Sequence, residues 1–430
     1  MSKIHIANGR IIDPANNIDQ TGSLYIADGK ILSAIEAPAD FTADITIDAT
    51  EHIVCPGFID LSVRLRDPGL TYKGTLQSET TAAASAGVTS LCLPPDTRPI
   101  IDSQAAIELI YDKAEKANYR HVFPIAALTP QLRGIELSSM AALKQAGCIA
   151  VSNATVPLAN LLVLRRAMEY ASSHDLLVMH HPVEPALENK GCAHEGFFST
   201  RYGLPGIPEA SESIAVAQCL ELAKLTDCKL HFSQISCKSA VIKIQQAQKY
   251  GLDISADVAI HQLHLTENDI EPFNSSYHVL PPFRTAKDRQ MLRKGLANGT
   301  IKVICSDHQP HDLDAKLGAF PETEPGISSL ETLLPLMLSL VNDKAINLTQ
   351  GIACLTQNPA EILGLPLGAL SPGLDADICI FNPDLSWTVN PQNWNSAGQN
   401  TPFWGTTFKG RVTHTLQSGK IIYTLKLNTS

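Results

Sequence analysis

Ile53-Val54-Cys55-Pro56-Gly57-Phe58-Ile59-Asp60-Leu61-Ser62-Val63-Arg64-Leu65-Arg66-Asp67-Pro68-Gly69 is where the texture of the chain changes. Before it, residues 3–7, 22–27 and 30–35 are short β-prone runs, and Asp28-Gly29 between the last two is a hairpin signal. After it, apolar strand-like runs (88–93, 121–126, 149–152, 176–180, 229–233, 253–258, 303–306) alternate with Ala/Leu/Lys-rich helical stretches (105–117, 138–146, 159–172, 215–225, 239–249, 286–297, 330–340). Strands alternating with helices imply parallel pairing. About eight such units match a (β/α)8 TIM-type barrel better than a doubly wound sheet. No phosphate-cradling glycine fingerprint follows the first strand, which also argues against a dinucleotide fold. Beyond Pro366 the texture returns to β. The reading is therefore an α/β protein: residues 55–365 form the barrel, and residues 1–54 and 366–430 together build a small β-sandwich domain.

Composition narrows the function. The 430 residues carry a formal net charge of −10, which excludes a mainly electrostatic nucleic-acid binder. No apolar run reaches the roughly 18 residues of a membrane span, and residues 1–6 lack the basic-then-apolar pattern of a signal peptide. The expected compartment is cytoplasmic, with no membrane partner. The ten cysteines never form a C-x-x-C pair and stand in apolar company, as buried reduced thiols do. Charged residues are only 18%, a deficit that fits extensive subunit contacts or a large α/β core.

Chemistry in such a barrel sits at the C-terminal ends of the strands. There Gly57 to Gly69 resembles the signature of type I dihydroorotases of the amidohydrolase superfamily, G-F-I-D-x-H-x-H-x-R-D-P-G. Further stretches are similar to stations of that family in the same order: His194-Glu195-Gly196, Ser306-Asp307-His308-Gln309-Pro310-His311, Gly326-Ile327-Ser328-Ser329, Asn358-Pro359-Ala360-Glu361, Pro372-Gly373-Leu374-Asp375-Ala376-Asp377 and Asn400-Thr401-Pro402-Phe403. The resemblance covers nearly the whole chain. It implies a metal-centred barrel in pyrimidine biosynthesis that interconverts carbamoyl aspartate and dihydroorotate.

That reaction needs a divalent metal held by His and carboxylate ligands. The resemblance places two of those ligands at Ser62 and Arg64, where a hydroxyl is a poor zinc ligand and a guanidinium has no lone pair to give. The carboxylate station falls on Asn153, and another ligand His is replaced by Gln234. His181 keeps its station, with the doubled His180-His181 leaving the register open by one residue, and Asp307 keeps the place of the general base and ligand. Two surviving ligands, His181 and Asp307, do not make the three-protein-ligand set of a catalytic zinc. Among substrate stations Arg66, His311 and Gly326 persist. Asp96 replaces an asparagine and would repel an acidic substrate, and Leu280 replaces another asparagine.

The expectation is thus a catalytically inactive member with vestigial Asp307, Arg66, His311, Gly326 and His181, and with no cofactor. The chain looks most like the non-catalytic subunit that assembles with the catalytic subunit of aspartate carbamoyltransferase, as a homo- and hetero-oligomer. The alternative is an active cyclic amidohydrolase, which requires zinc; a third possibility is a pocket that binds a pyrimidine intermediate without turnover. His180, His261 and His264 are expected to be core or rim residues, and Arg66 to brace the Asp67 loop. Removing a metal while keeping Asp307 strands a buried anion. Arg64 is therefore expected to lie over the vacant site and pair with Asp307 or another nearby acid.

Overall fold

The computed structural model describes residues 3–270 and 273–426, so the first two residues of the N-terminal stretch lie outside it. The chain begins with β1 (Ile4–Asp13), β2 (Ile18–Ala27), β3 (Lys30–Ala34), β4 (Ile45–Asp48) and β5 (Ile53–Pro56). Asp28 and Gly29 both take positive φ (52° and 78°), as a two-residue turn that follows the twist of its strands requires. β1 forks the sheet: its first half pairs with β4 and its second half with β5, both in parallel.

At Gly57 the chain leaves this sheet and enters the barrel. A side chain there is impossible, since a Cβ would stand 2.2 Å from the Thr89 hydroxyl. The run 53–60 is therefore two strands with different neighbours, and β5 straddles residues 54 and 55. The barrel strands are β6 (Phe58–Asp60), β7 (Val88–Leu93), β8 (His121–Ala127), β9 (Ala150–Ser152) and β10 (Leu177–His180). An excursion then holds β11 (Ala193–His194) and β12 (Gly206–Ile207), and β13 (Leu230–Phe232), β14 (Ile254–Ala259) and β15 (Val303–Cys305) complete the series. The eight strands run parallel in the order β6-β7-β8-β9-β10-β13-β14-β15. The ring closes above β15 and β6 through a parallel bridge between Val63 and His308.

Alternate strand residues point inward. Leu61, Cys92, Ile125, Met179, Ala259 and Cys305 form an apolar cluster, while the other face of each strand packs on the surrounding helices. β16 (Ile378–Thr388), β17 (Thr407–Gln417) and β18 (Lys420–Thr424) return to the first sheet, where β16 pairs antiparallel with β5. Segments from both ends of the chain therefore share one core, with Ile6, Leu24, Ile47, Val54, Ile380 and Leu416 in contact across it. All ten cysteines are buried and free. No helix among the described residues is long and apolar enough to cross a membrane.

One barrel helix is absent from the sequence reading. Leu76–Ser85 is Ser/Thr-rich and so has modest intrinsic helix preference. A reciprocal capping box between Thr75 and Ser78 and the burial of Leu76, Ala82, Ala83 and Ala84 hold it in place. Tertiary packing decides its conformation, which a local pattern does not report.

Candidate functional site at the barrel mouth

The loop after β6 carries Ser62, Arg64 and Arg66. The backbone of this segment closes the barrel: Arg64 N–H donates to the His308 carbonyl (2.9 Å) and His308 N–H to that of Ser62 (3.1 Å). Beneath the seam, the buried Asp60 carboxyl accepts from Ser62 N and Ser306 N, both at 3.1 Å. Burial pushes that carboxyl up to about 7.

Arg64 is buried at the centre of the mouth. Its Nε donates to Asp96 Oδ2 at 2.8 Å and its Nη1 faces Asp307 Oδ1 at 3.4 Å. The structure meets the expectation of an acid partner, with Asp96 as the closer of two. Burial opposes charge on all three groups. Arg64 nonetheless holds Asp96 below the usual carboxylate range, and Asp96 and Asp307 hold the guanidinium above its own. Asp307 is pushed up to about 6 by burial, although Arg64 and Gln309 favour its anion. Its oxygens also accept from Ser62 Oγ (3.3 Å) and from Gln309 Nε2 (3.1 and 3.2 Å).

Ser62, Arg64, His181 and Gln234 line one cavity of about 20 Å³. That is room for about one water, against roughly 300–1,000 Å³ in ordinary small-molecule sites. His181 Nδ1 donates to Gln234 Oε1 at 3.2 Å, and burial pushes the imidazole down to about 4, so it is neutral at neutral pH. Of the doubled histidines, His181 lines the cavity and His180 is not among its lining residues. Asn153 does not join the group either. Its Oδ1 accepts from Thr129 (2.8 Å), and its Nδ2 donates to the carbonyls of Leu132 (3.2 Å) and Val156 (3.0 Å).

The other sector of the mouth holds the expected substrate stations. Arg66 ties the loop that carries it and Asp67 to the loop after β15, without a hydrogen bond to Asp67 itself. The Arg66 Nε donates to the Pro310 carbonyl at 2.9 Å and its Nη2 lies 3.2 Å from the His311 ring. Asp67 is instead held by Lys113 at 2.8 Å, which reaches in from the next barrel helix and leaves Arg66 free for the loop after β15. His311 Nδ1 accepts from Lys73 Nζ (3.2 Å), and its Nε2 donates to the Pro325 carbonyl (2.9 Å). Lys73 also pairs with Glu324 at 2.5 Å. Asn400 ties the sector together: it accepts from His311 N (2.8 Å) and donates to the carbonyls of Gln309 (2.9 Å) and Gly326 (3.0 Å). Gly326 sits at φ 130° with Gln309 packed over it, so a Cβ would meet that side chain at 2.6 Å.

Arg66, Gln234 and Asp307 all take left-handed backbone conformations, with φ of 61°, 53° and 49°. Such conformations at non-glycine positions are uncommon and cluster at functional sites.

A divalent metal does not fit this donor set. Arg64 occupies the space between the two carboxylates, Gln234 offers an amide, and Asn153 faces away. Among the described residues no group of three or more His, Cys, Asp or Glu side chains is placed to hold a metal ion. His261 and His264 follow β14, where burial pushes them down to about 3 and about 4, and His261 packs edge-on against Phe283.

The motifs quoted from the sequence leave out Lys73 and Glu324, and they include Gln309 and Asn400 without giving either a role. Asp96 figures in the sequence reading only as an obstacle to substrate. Arg64 and Asp96 are departures of opposite charge from one motif set, and that pairing is the signal that would have joined them.

A family model described as dihydro-orotase-like matches residues 51–240. A protein of Pseudomonas putida named dihydroorotase-like protein is 45% identical over 420 residues, covering 98% of this chain and 99% of its own length. One of the same name from Pseudomonas aeruginosa is 44% identical with the same coverage. A dihydroorotase of Syntrophus aciditrophicus is 40% identical over 422 residues, again with 98% and 99% covered. Among solved structures, the L-hydantoinase of Arthrobacter aurescens superposes with a TM-score of 0.88 at 23% identity, covering 99% of this chain and 98% of that one, a likeness of fold.

Proposed function

The chain belongs to the dihydroorotase-like family, and from that premise we propose that it is a non-catalytic member, a structural subunit of pyrimidine biosynthesis that assembles with the catalytic subunit of aspartate carbamoyltransferase. The observation that carries the reading is the occupant of the barrel centre. An arginine bridges two carboxylates where the family's resemblance calls for a metal ligand. Hydrolysis or closure of a cyclic amide needs a polarised carbonyl and an activated water. A guanidinium can do neither when both of its working edges are engaged by acids. The small cavity supports the same reading, since it leaves no room for a six-membered ring.

The partner rests on the resemblance of the motifs to the non-catalytic subunit that assembles with the transferase, and its test is co-purification. Deleting this chain is expected to leave the transferase as smaller, less active species, and adding it back to restore a larger complex by mass. A transferase of unchanged mass and activity would overturn the assignment.

The second reading is an active metal-dependent cyclic amidohydrolase, favoured by relatives at 40% identity that carry the name dihydroorotase. It requires stoichiometric zinc together with dihydroorotate ring opening by the purified chain.

A further inference from the structure

We propose that the barrel mouth is a cation site whose occupant is covalently tethered: the Arg64 guanidinium serves as a built-in counter-ion for Asp96 and Asp307, and removing it turns the same carboxylates into a binding site for a free guanidinium cation. The two acids come from loops on opposite sides of the first barrel strand, after β7 and after β15, and Arg64 comes from the loop between them. Among the described residues, Asp96 accepts a side-chain hydrogen bond from Arg64 and one from its own backbone N–H; Asp307 has Arg64, Ser62 and Gln309. Without Arg64 the only hydrogen bonds left to either carboxylate would come from neutral groups. The buried Asp307 and the partly exposed Asp96 then lose the cation that bridges them at the seam that closes the ring, with Arg66 left as the nearby positive charge, an arrangement that favours a replacement cation.

The geometry specifies which kind. Arg64 reaches the two acids with different edges of one planar group, Nε toward Asp96 and Nη1 toward Asp307. A compact ammonium on a flexible stem presents no such fixed fork. The cation also bonds three loops at the place where the Val63–His308 bridge is the last link of the barrel.

Chemical rescue tests this directly. In the full-length chain, Arg64→Gly is expected to lower the melting temperature by several degrees, and millimolar methylguanidinium to recover at least half of that loss. Methylammonium at equal concentration is expected to recover much less, and the unaltered protein to respond to neither. No recovery, or equal recovery by both compounds, would overturn the proposal. Recovery by zinc but not by methylguanidinium would do the same, since the site would then select a metal. Should Arg64→Gly fail to fold, the triple variant Arg64→Met/Asp96→Asn/Asp307→Asn carries the test. It is expected to melt higher than Arg64→Met alone, because the stranded anions are gone; a lower value would refute the counter-ion role.

Discussion

The two sectors of the barrel mouth have reached the same condition by opposite routes. Ser62, Arg64, Asn153 and Gln234 stand where the resemblance implies ligand residues that this sequence lacks. Arg66, Asp307, His311 and Gly326 stand where it implies residues that this sequence has. Yet the retained groups are as fully engaged with their neighbours as the substituted ones: Arg66 with Pro310, His311 with Lys73 and Pro325, Gly326 with Asn400. A retained residue type is therefore no guide to a retained task. What distinguishes a working site is polar groups held ready for a ligand, and in this mouth both sectors spend theirs on the fold.

Arg64 joins the sectors, so its loss should have the largest effect. Arg64→Met leaves the buried Asp307, and the partly exposed Asp96 beside it, without their shared cation and is expected to cost about 3–5 kcal/mol, read from urea unfolding. A loss under about 1 kcal/mol would mean the pairs behave like exposed ones.

Arg66→Met separates bracing from binding in the retained sector. As a brace Arg66 contributes a charged hydrogen bond to a buried carbonyl, and removal should destabilise by about 1.5–3 kcal/mol. A residue still kept for ligand binding behaves otherwise, because function is commonly maintained at the expense of stability. A variant as stable as the parent would return Arg66 to a binding role.

In the substituted sector, Asn153→Asp reinstates the family's residue type. The amide hydrogens that serve Leu132 and Val156 disappear, so a loss of about 1–3 kcal/mol is expected, with no uptake of zinc in elemental analysis. Stability gained, or zinc bound, would show that the sector still tolerates its old chemistry.

An effect confined to the pH profile is expected at Glu331, which accepts from Asn395 and Ser396. Burial pushes its carboxyl from 4.5 up to about 7. A raised carboxyl binds its proton more tightly when folded, so this contribution is present below about pH 4.5 and lost as pH rises through 7. The slope is at most about 1.4 kcal/mol per pH unit. Glu331→Gln should flatten that part of the stability profile; an unchanged profile would remove Glu331 from it.

The barrel was legible because strand and helix periods alternate over most of the chain, and the small domain because both ends return to β texture. The helix Leu76–Ser85 was not, since its stability comes from burial and a cap rather than from propensity. At the site, departures from the resembled motif could be read position by position, and the expectation of a counter-charge for Asp307 followed from them. The closer partner, Asp96, stands 32 residues from Arg64 in another loop, and no local pattern connects them. Lys73 and Asn400 were hidden for the same reason. They act across the ring, on loops brought together only when the barrel closes.

The account rests most heavily on the absence of turnover, and a dihydroorotate ring-opening assay on the purified chain supplied with zinc tests it directly. The expected result is no hydrolysis above the buffer rate, with zinc well below one ion per chain after removal of excess. Sustained zinc-dependent hydrolysis, lost on chelation, would contradict it.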